Sequence, residues 1–499
     1  MRLSTTIATL LSLAPGAAWA KPRRLDSTRL QSDMKTNRTQ SLMSNLEALN
    51  DIAFDNGGNR AFGLPGYDAS VDYIFNRISK VKTARAWKQD FPALFAFVDS
   101  IELKVDEAPV YVYGLTYSPS TSEEGITAEI ALGPEGAAGC DASSYDGLDV
   151  KGKIVLVQRF RCPTGGTLAG RVIPAAAAGA SAVIIYHDLT TNVTAGSLSQ
   201  PDPEKHVPAG FINLADGLKI KERIEAGETV QAHFQQTQTI EERITQNVIA
   251  ETIGGDPRNV IMVGAHLDSV QAGPGINDDG SGSSLILELF LALSKYKTKN
   301  KIRFAWWGAE ENGLLGSRYY TSNLSTKDVN NLLVYLNFDM VSKGFFGVAD
   351  TDGSSHGVKA PRGSEVTEKI WIDYFTSKGI EVTPASLTNG SDYAPFWQNL
   401  NKPFGFLHTG TAVAQDPCYH QACDTIDNPD PKTLTINAKA AAHIISVLDQ
   451  KGTKLIPKTK VSDATLEGLQ KRTVGPDLGQ IEELEAMGIR HLGCGIHEI

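Results

Sequence analysis

The chain has little cysteine, no long apolar run and no excess of basic charge, and each shortage closes off a class of protein. Five cysteines among 499 residues rule out a small scaffold held by disulfides in place of a core. No segment reaches the roughly 20 consecutive apolar residues that a membrane-crossing helix needs, so no membrane is expected as a partner. Lysine and arginine total 47 against 57 aspartates and glutamates, a net charge of −10. With no basic stripe to track a phosphate backbone, nucleic acid is not expected as a partner either. The remaining composition, 41% hydrophobic and 21% charged, is that of a globular chain and not of a disordered or fibrous one. At roughly 150 residues per domain, the length predicts two or three domains.

Met1-Arg2 precedes an apolar run from Thr6 to Leu13 and the small-x-small triplet Ala18-Trp19-Ala20, the pattern of a cleaved secretory signal. Residues 1–20 are therefore expected to be removed near Lys21 and the protein to be secreted, with the vacuole as the other destination. Glycosylation triplets at Asn37, Asn192, Asn323 and Asn389 fit that route. In an oxidising compartment the cysteine spacing suggests two local disulfides, Cys140 with Cys162 and Cys418 with Cys423, leaving Cys494 over. A thiolate zinc site would want a C-x-x-C pair or a Cys/His cluster, which Cys140 and Cys162 lack.

Residues 21–39 are basic and polar without apolar periodicity, and read as a propeptide or a loose arm that holds no core. From Gln40 to Phe97, apolar residues recur at helical spacing: Leu42, Leu46 and Leu49, then Val71, Ile74 and Ile78. They flank the turn Asn56-Gly-Gly-Asn59 and predict two or three helices. Short β-rich runs at 126–130, 153–157, 182–186 and 207–211 surround one alanine-rich helix near 168–178. This stretch, with Arg161-Cys-Pro and Ala177-Ala-Gly-Ala-Ser-Ala-Val-Ile-Ile-Tyr186, resembles a protease-associated domain. It is expected to be an insert over 125–238 with no catalytic constellation of its own. From Thr245 onward, strands at 259–265, 302–307 and 332–338 alternate with helices at 282–294 and around 317–322. That alternation predicts an α/β fold with a mixed, mostly parallel central sheet flanked by helices, and ligands at the carboxyl ends of its strands. The main domain would comprise 40–124 and 239–450. A tail of unknown role would cover 451–499, with a turn at Pro476 and a charged helical stretch at 481–486.

His266 with Asp268, the pair Asp278-Asp279, the pair Glu310-Glu311, and Asp339 all follow predicted strand ends. Singly, such a residue is most often a helix cap or a solvated loop charge. Together, so many carboxylates at one edge repel unless a divalent cation neutralises them. The spacing of His266 and Asp268 suits a carboxylate that orients a coordinating imidazole. Successive glutamates leave a strand in different directions, so one of Glu310 and Glu311 can bind metal while the other works on a water. The glycine-rich turn at 275–282 lacks the lysine of a phosphate-binding loop. Cys418-Tyr-His-Gln-Ala-Cys423 would present Tyr419 and His420 from a short, rigid loop.

The strings His266-Leu-Asp-Ser269, Ile276-Asn-Asp-Asp-Gly-Ser-Gly282, Trp306-Trp-Gly-Ala-Glu-Glu311, Asn337-Phe-Asp339, Ser391-Asp-Tyr-Ala-Pro-Phe396 and Cys418-Tyr-His420 resemble those of the secreted and vacuolar di-zinc aminopeptidases. The likeness covers roughly 42–448, with the protease-associated insert placed as in the aminopeptidase Y and fungal leucine aminopeptidase type. It implies a zinc exopeptidase fold holding two Zn²⁺ per chain. Asp278 would bridge, with His266 and Asp339 on one ion and Glu311 and His420 on the other. Glu310 would be the general base, Tyr419 an oxyanion donor, and Asp268 the partner of His266. The substrates would be peptides with a free N-terminus, with apolar first residues favoured, and the enzyme a monomer. The sequence departs from some bacterial relatives at Gly390, where they carry arginine. A carboxypeptidase of the same superfamily is the nearer alternative, but it would need cations around the substrate carboxylate, and 384–396 carries none. An inactive peptide-binding homologue is the other alternative, although all five ligands and the base are present. A one-zinc glutaminyl cyclase fits less well, because the ligand set supports two metals.

Overall fold

The computed structural model describes residues 23–34, 42–190, 192–193, 196–412 and 414–470. The signal segment, the triplet at Asn37, the turn at Pro476, the stretch at 481–486 and Cys494 lie outside them.

The central sheet runs in the order Thr383–Ala385, Gly347–Ala349, Phe404–His408, Leu332–Phe338, Asp256–His266, Asn300–Trp307, Gln231–Thr252. Strand Asp256–His266 lies parallel to both neighbours, Asn300–Trp307 and Leu332–Phe338, and Phe404–His408 continues the parallel set. Gly347–Ala349 and Gln231–Thr252 run antiparallel at the two margins, so the sheet is mixed. Its inner strands are buried on both faces, as crossover connections require. Ile261, Val263 and Ala265 pack into one core with helices Leu42–Asp55, Pro65–Ile78, Gly282–Leu293 and Pro431–Leu455, while Val260 and Met262 face a second core with Tyr320, Tyr393 and Phe396. Helix Gly282–Leu293 is apolar on nearly every side, as a fully covered helix must be.

Two 22-residue strands, Ala84–Val105 and Gln231–Thr252, pair antiparallel from Ala84 opposite Thr252 to Val105 opposite Ala232. One end of this ribbon joins the central sheet through Val248–Glu251, and the other joins the insert, where Gln231–Phe234 pairs with strand Ile126–Leu132. The insert then stacks Ile126–Leu132, Ile154–Gln158, Ala182–Tyr186 and Ala209–Ile212 in parallel, with helices Ala169–Ala177 and Leu214–Glu225 against it. Among the described residues, no helix is long and apolar enough to cross a membrane. Both expected disulfides are present, with Cα–Cα separations of 5.4 Å for Cys140–Cys162 and 5.3 Å for Cys418–Cys423.

Several sequence expectations are corrected. Residues 84–97 form a strand and not a third helix, because Phe91, Ala93 and Phe95 are buried between exposed Asp90 and Pro92 and half-buried Leu94, a period of two. Ahead of 125, Ser100–Val105 already pairs with the strand that returns from the insert, and Tyr113–Gly114 lies in its sheet. The boundary at 238 falls inside Gln231–Thr252, and that at 450 inside helix Pro431–Leu455. The described part of the tail packs as well, since Leu466 of helix Asp463–Gln470 is buried. Asn192 and Asn323 are exposed. Asn389 is 6% exposed, with its side-chain Oδ1 accepting from Gln398 Nε2 at 2.6 Å, so the folded chain leaves no room for a glycan there.

The expectation of a coreless arm fails for residues 23–34. Strand Arg23–Arg24 pairs with Tyr296–Lys297, and helix Ser27–Asp33, capped by Asp26, buries Leu25, Leu30 and Met34. Tyr374 donates to Gln31 and Tyr296 to Asp33, both at 2.9 Å. Leu30→Ala should therefore lower the unfolding free energy by about 2–5 kcal/mol, the usual cost of emptying a leucine site. Denaturant titration of the two chains measures it. A change below about 0.5 kcal/mol, typical of a surface position, would mean that the helix does not contribute to the core.

Candidate metal centre

Three neighbouring strands deliver side chains to one place. Asp256–His266 ends on His266. On one side Asn300–Trp307 runs through Gly308 and Ala309, whose φ is 55°, into Glu310 and Glu311. On the other, Leu332–Phe338 runs into Asp339. The turn carrying Asp278 and Asp279 sits at the start of helix Gly282–Leu293. A Cβ at Gly282 would meet Phe338 O at 2.3 Å and the Asp279 carboxylate at 2.5 Å, so glycine is what lets the helix start approach the strand end this closely. The disulfide loop adds His420, at φ 55°, with the Tyr419 ring stacked on it at 3.9 Å.

Two ligand sets result, and they share a residue: His266 with Asp278 and Asp339, and Asp278 with Glu311 and His420. Asp278 Oδ1 lies 3.1 Å from His266 Nε2, and Asp278 Oδ2 lies 3.1 Å from His420 Nε2. Asp339 Oδ1 is 3.5 Å from His266 Nε2, and Glu311 Oε2 is 3.1 Å from His420 Nε2. All of these side chains are buried or nearly so. Asp268 stands beside His266 as expected, with Oδ1 3.6 Å from His266 Nδ1, and it also supports the glutamate pair. Its carboxylate accepts the backbone N–H groups of Glu310 and Glu311 at 3.1 and 3.2 Å, while His266 Nδ1 faces the Asp268 carbonyl oxygen at 3.2 Å. One residue thus holds the imidazole with its backbone and the glutamate pair with its side chain.

The electrostatics favour a cation. Burial, together with Asp392, Asp339 and Glu311, holds the Glu310 carboxyl well above the ordinary glutamate range despite His266. Burial and Asp278 bring Glu311 to about 7 against the pull of His420, and burial with Asp339 and Asp268 brings Asp392 to about 8. Burial also raises Asp279, helped by Asp339. Burial alone would lower both imidazoles, but Glu310 and Asp339 carry His266 well up, and Glu311 and Asp278 carry His420 to about 10. Protons are therefore retained by a site whose carboxylates outnumber its positive charges. Glu310 Oε1, Glu311 Oε1 and Asp279 Oδ2 are buried without hydrogen-bond partners. Histidine nitrogen and carboxylate oxygen are zinc donors, and a divalent ion held by the two sets would neutralise the crowd.

The sequence reading missed the supports beneath the ligands. Asp424 accepts the backbone N–H groups of Asn277 and Asp278 at 2.9 and 3.0 Å. The Arg60 guanidinium binds the carbonyls of Leu267, Pro274 and Gly275, clamping the strand end to the turn. A chain of hydrogen bonds runs from Trp307 through Tyr335, Asn337 and Ser391 to Asp339. His408, at the end of the next strand, puts Nδ1 3.1 Å from Asp339 O. Ser391 opens one of the recognised strings and Asp424 follows the Cys418–Cys423 loop, which are the signals that mark them; Arg60 and His408 carry none.

Residues 247–445 match Peptidase family M28 and residues 126–220 match the PA domain. Probable leucine aminopeptidase 2 of Aspergillus oryzae is 36% identical over 428 residues, 82% of this chain and 84% of that protein. The chain belongs to peptidase family M28. Other relatives include leucine aminopeptidase 2 of Trichophyton rubrum, 34% identical over 87% of this chain and 88% of that protein. An aminopeptidase of Pseudomonas aeruginosa is 35% identical over 82% and 81%. Among solved structures, the aminopeptidase from Aneurinibacillus sp. strain AM-1 covers 88% of this chain and 98% of its own at 25% identity, with a TM-score of 0.69. The α/β fold with a mixed central sheet, and the inserted PA domain, are thus as the sequence predicted.

Proposed function

We propose that this M28 chain is a secreted metallo-aminopeptidase that removes the N-terminal residue of peptides with two zinc ions held by His266, Asp278, Glu311, Asp339 and His420. The observation that carries this reading is the position of Asp278, whose two oxygens face two imidazoles on opposite sides. Bound zinc supplies Lewis acidity, polarising the scissile carbonyl and bringing a water's pKa toward neutrality. Glu310, whose Oε1 has no donor within the fold, takes the proton from water and returns it to the leaving amine. The Tyr419 phenol donates to the carbonyl oxygen as charge builds there. The acidic surroundings anchor the substrate's α-ammonium, a group that an internal peptide bond does not place at that distance. The names of the relatives, leucine aminopeptidase 2, support a preference for apolar first residues. Export rests on residues 1–20, and an N-terminus near Lys21 in the exported enzyme tests it.

One peptide, unblocked and N-acetylated, distinguishes the readings. The unblocked form should release its first residue, the acetylated form should resist, a chelator should abolish the release, and zinc should restore it with metal content approaching two per chain. Cleavage of the acetylated peptide from its other end would replace this reading with a carboxypeptidase. Chelator-insensitive release would remove the metal from the mechanism.

A further inference from the structure

The loop that follows strand Gly347–Ala349 gathers three carboxylates that the reaction does not use. Asp350, Asp352 and Glu368 each place one carboxylate oxygen within 4.8 Å of the others. Each of them also commits one oxygen to the fold. Asp350 Oδ2 accepts the N–H groups of Ser355 and His356 at 3.0 and 2.6 Å and lies 3.2 Å from His356 Nδ1. Glu368 Oε2 accepts from Thr351 N at 2.8 Å, Thr351 Oγ1 at 2.7 Å and Asp352 N at 3.0 Å. Asp352 Oδ1 accepts from Ser354 N at 2.8 Å. The oxygen left over on Asp350, Oδ1, is buried without a hydrogen-bond partner on a residue only 1% exposed. An unsatisfied buried acceptor destabilises the fold, and more so when it is charged. Two further carboxylates beside it add repulsion.

We infer that Asp350, Asp352 and Glu368 form a calcium-binding site, separate from the metal centre of the reaction. The donors are carboxylate oxygens without a thiolate or a free imidazole, the set that hard cations select. Opposed ligands on calcium stand about 5 Å apart, and calcium accepts irregular sets completed by carbonyls and waters, whereas magnesium demands a tighter, near-ideal octahedron. The ion would join the loop to helix Ser364–Thr376 through Glu368. Asp350 N donates to Ala385 O at 2.8 Å, so the same ion would fasten the edge of the central sheet. Binding to the folded chain alone stabilises it by mass action.

The test uses the full-length, zinc-loaded enzyme freed of calcium by dialysis, and Asp352→Asn, whose side chain is exposed and outside the catalytic machinery. Millimolar CaCl₂ should raise the native melting temperature by about 2–4 °C and leave the variant unmoved. Equilibrium dialysis with ⁴⁵Ca should find one ion per native chain and none on the variant. Without calcium the variant should be at least as stable as the native chain, because one repelling charge is gone, so the order of stability inverts on adding the ion. No bound calcium, or an equal rise in both proteins, overturns the site. An equal effect of magnesium at the same concentration overturns the assignment to calcium. Zinc content and peptidase activity are read separately, so neither failure touches the proposed reaction.

Discussion

Glu310→Gln is expected to lower kcat by about 10²–10⁴-fold, the scale of losing a general base, while zinc content and folding remain native. The substitution keeps the side chain's size and leaves its backbone N–H on Asp268 at 3.1 Å. It removes the capacity to take a proton. Glu310 also belongs to neither ligand set, so the metal sites lose no donor. The measurement is kcat and elemental analysis on the purified variant. Turnover near the native rate would mean that another group activates the water. Zinc loss would mean that Glu310 is a ligand, and that the roles of the glutamate pair are exchanged.

Asp278→Ala should act in the opposite way, on metal before rate. Because Asp278 is common to both ligand sets, its removal takes one donor from each and leaves His266 and His420 without their shared counter-charge. Affinity should fall at both positions by more than the 10–100-fold typical of losing a residue behind a ligand, and activity with it. Glu311→Ala, which serves one set, should lose less zinc. The backbone of the turn should persist, because Asp424 holds the N–H groups of Asn277 and Asp278 whatever side chain residue 278 carries. Zinc content of the two variants after the same dialysis decides the matter. Equal loss in both, or retention of two ions by Asp278→Ala, would falsify the bridging role.

Much of the peptidase core was legible because its strands are apolar on both faces. Val260 to Ala265, Phe304 to Trp307 and Leu332 to Phe338 are continuous buried runs, and a continuous apolar run bounded by glycine and acids marks a covered strand without any knowledge of its neighbours. His266, the Glu310-Glu311 pair and Asp339 were legible for the same reason, since each stands at or just past the end of such a run, whereas His420 was marked by the short loop between Cys418 and Cys423. The long ribbon was not. Phe91, Ala93 and Phe95 alternate in burial, but their partners, Thr245, Arg243 and Glu241, stand some 150 residues away in the chain. Nothing local shows that the two strands extend past the domain edge and belong to both domains at once.

The sequence by itself determined the alternation of strands and helices from Thr245 onward, the two disulfides, the PA insert and the imidazoles and carboxylates of the candidate metal centre, because all of these are written in local periodicity, spacing and residue chemistry. Tertiary structure alone decided that Leu25, Leu30 and Met34 are core, that Asn389 is buried, that Asp268 supports the glutamate pair, and that Glu368 reaches Asp350. Each of these depends on which distant surface a residue meets, and hydrophobic burial and hydrogen bonding depend on what covers a group rather than on its neighbours in the chain.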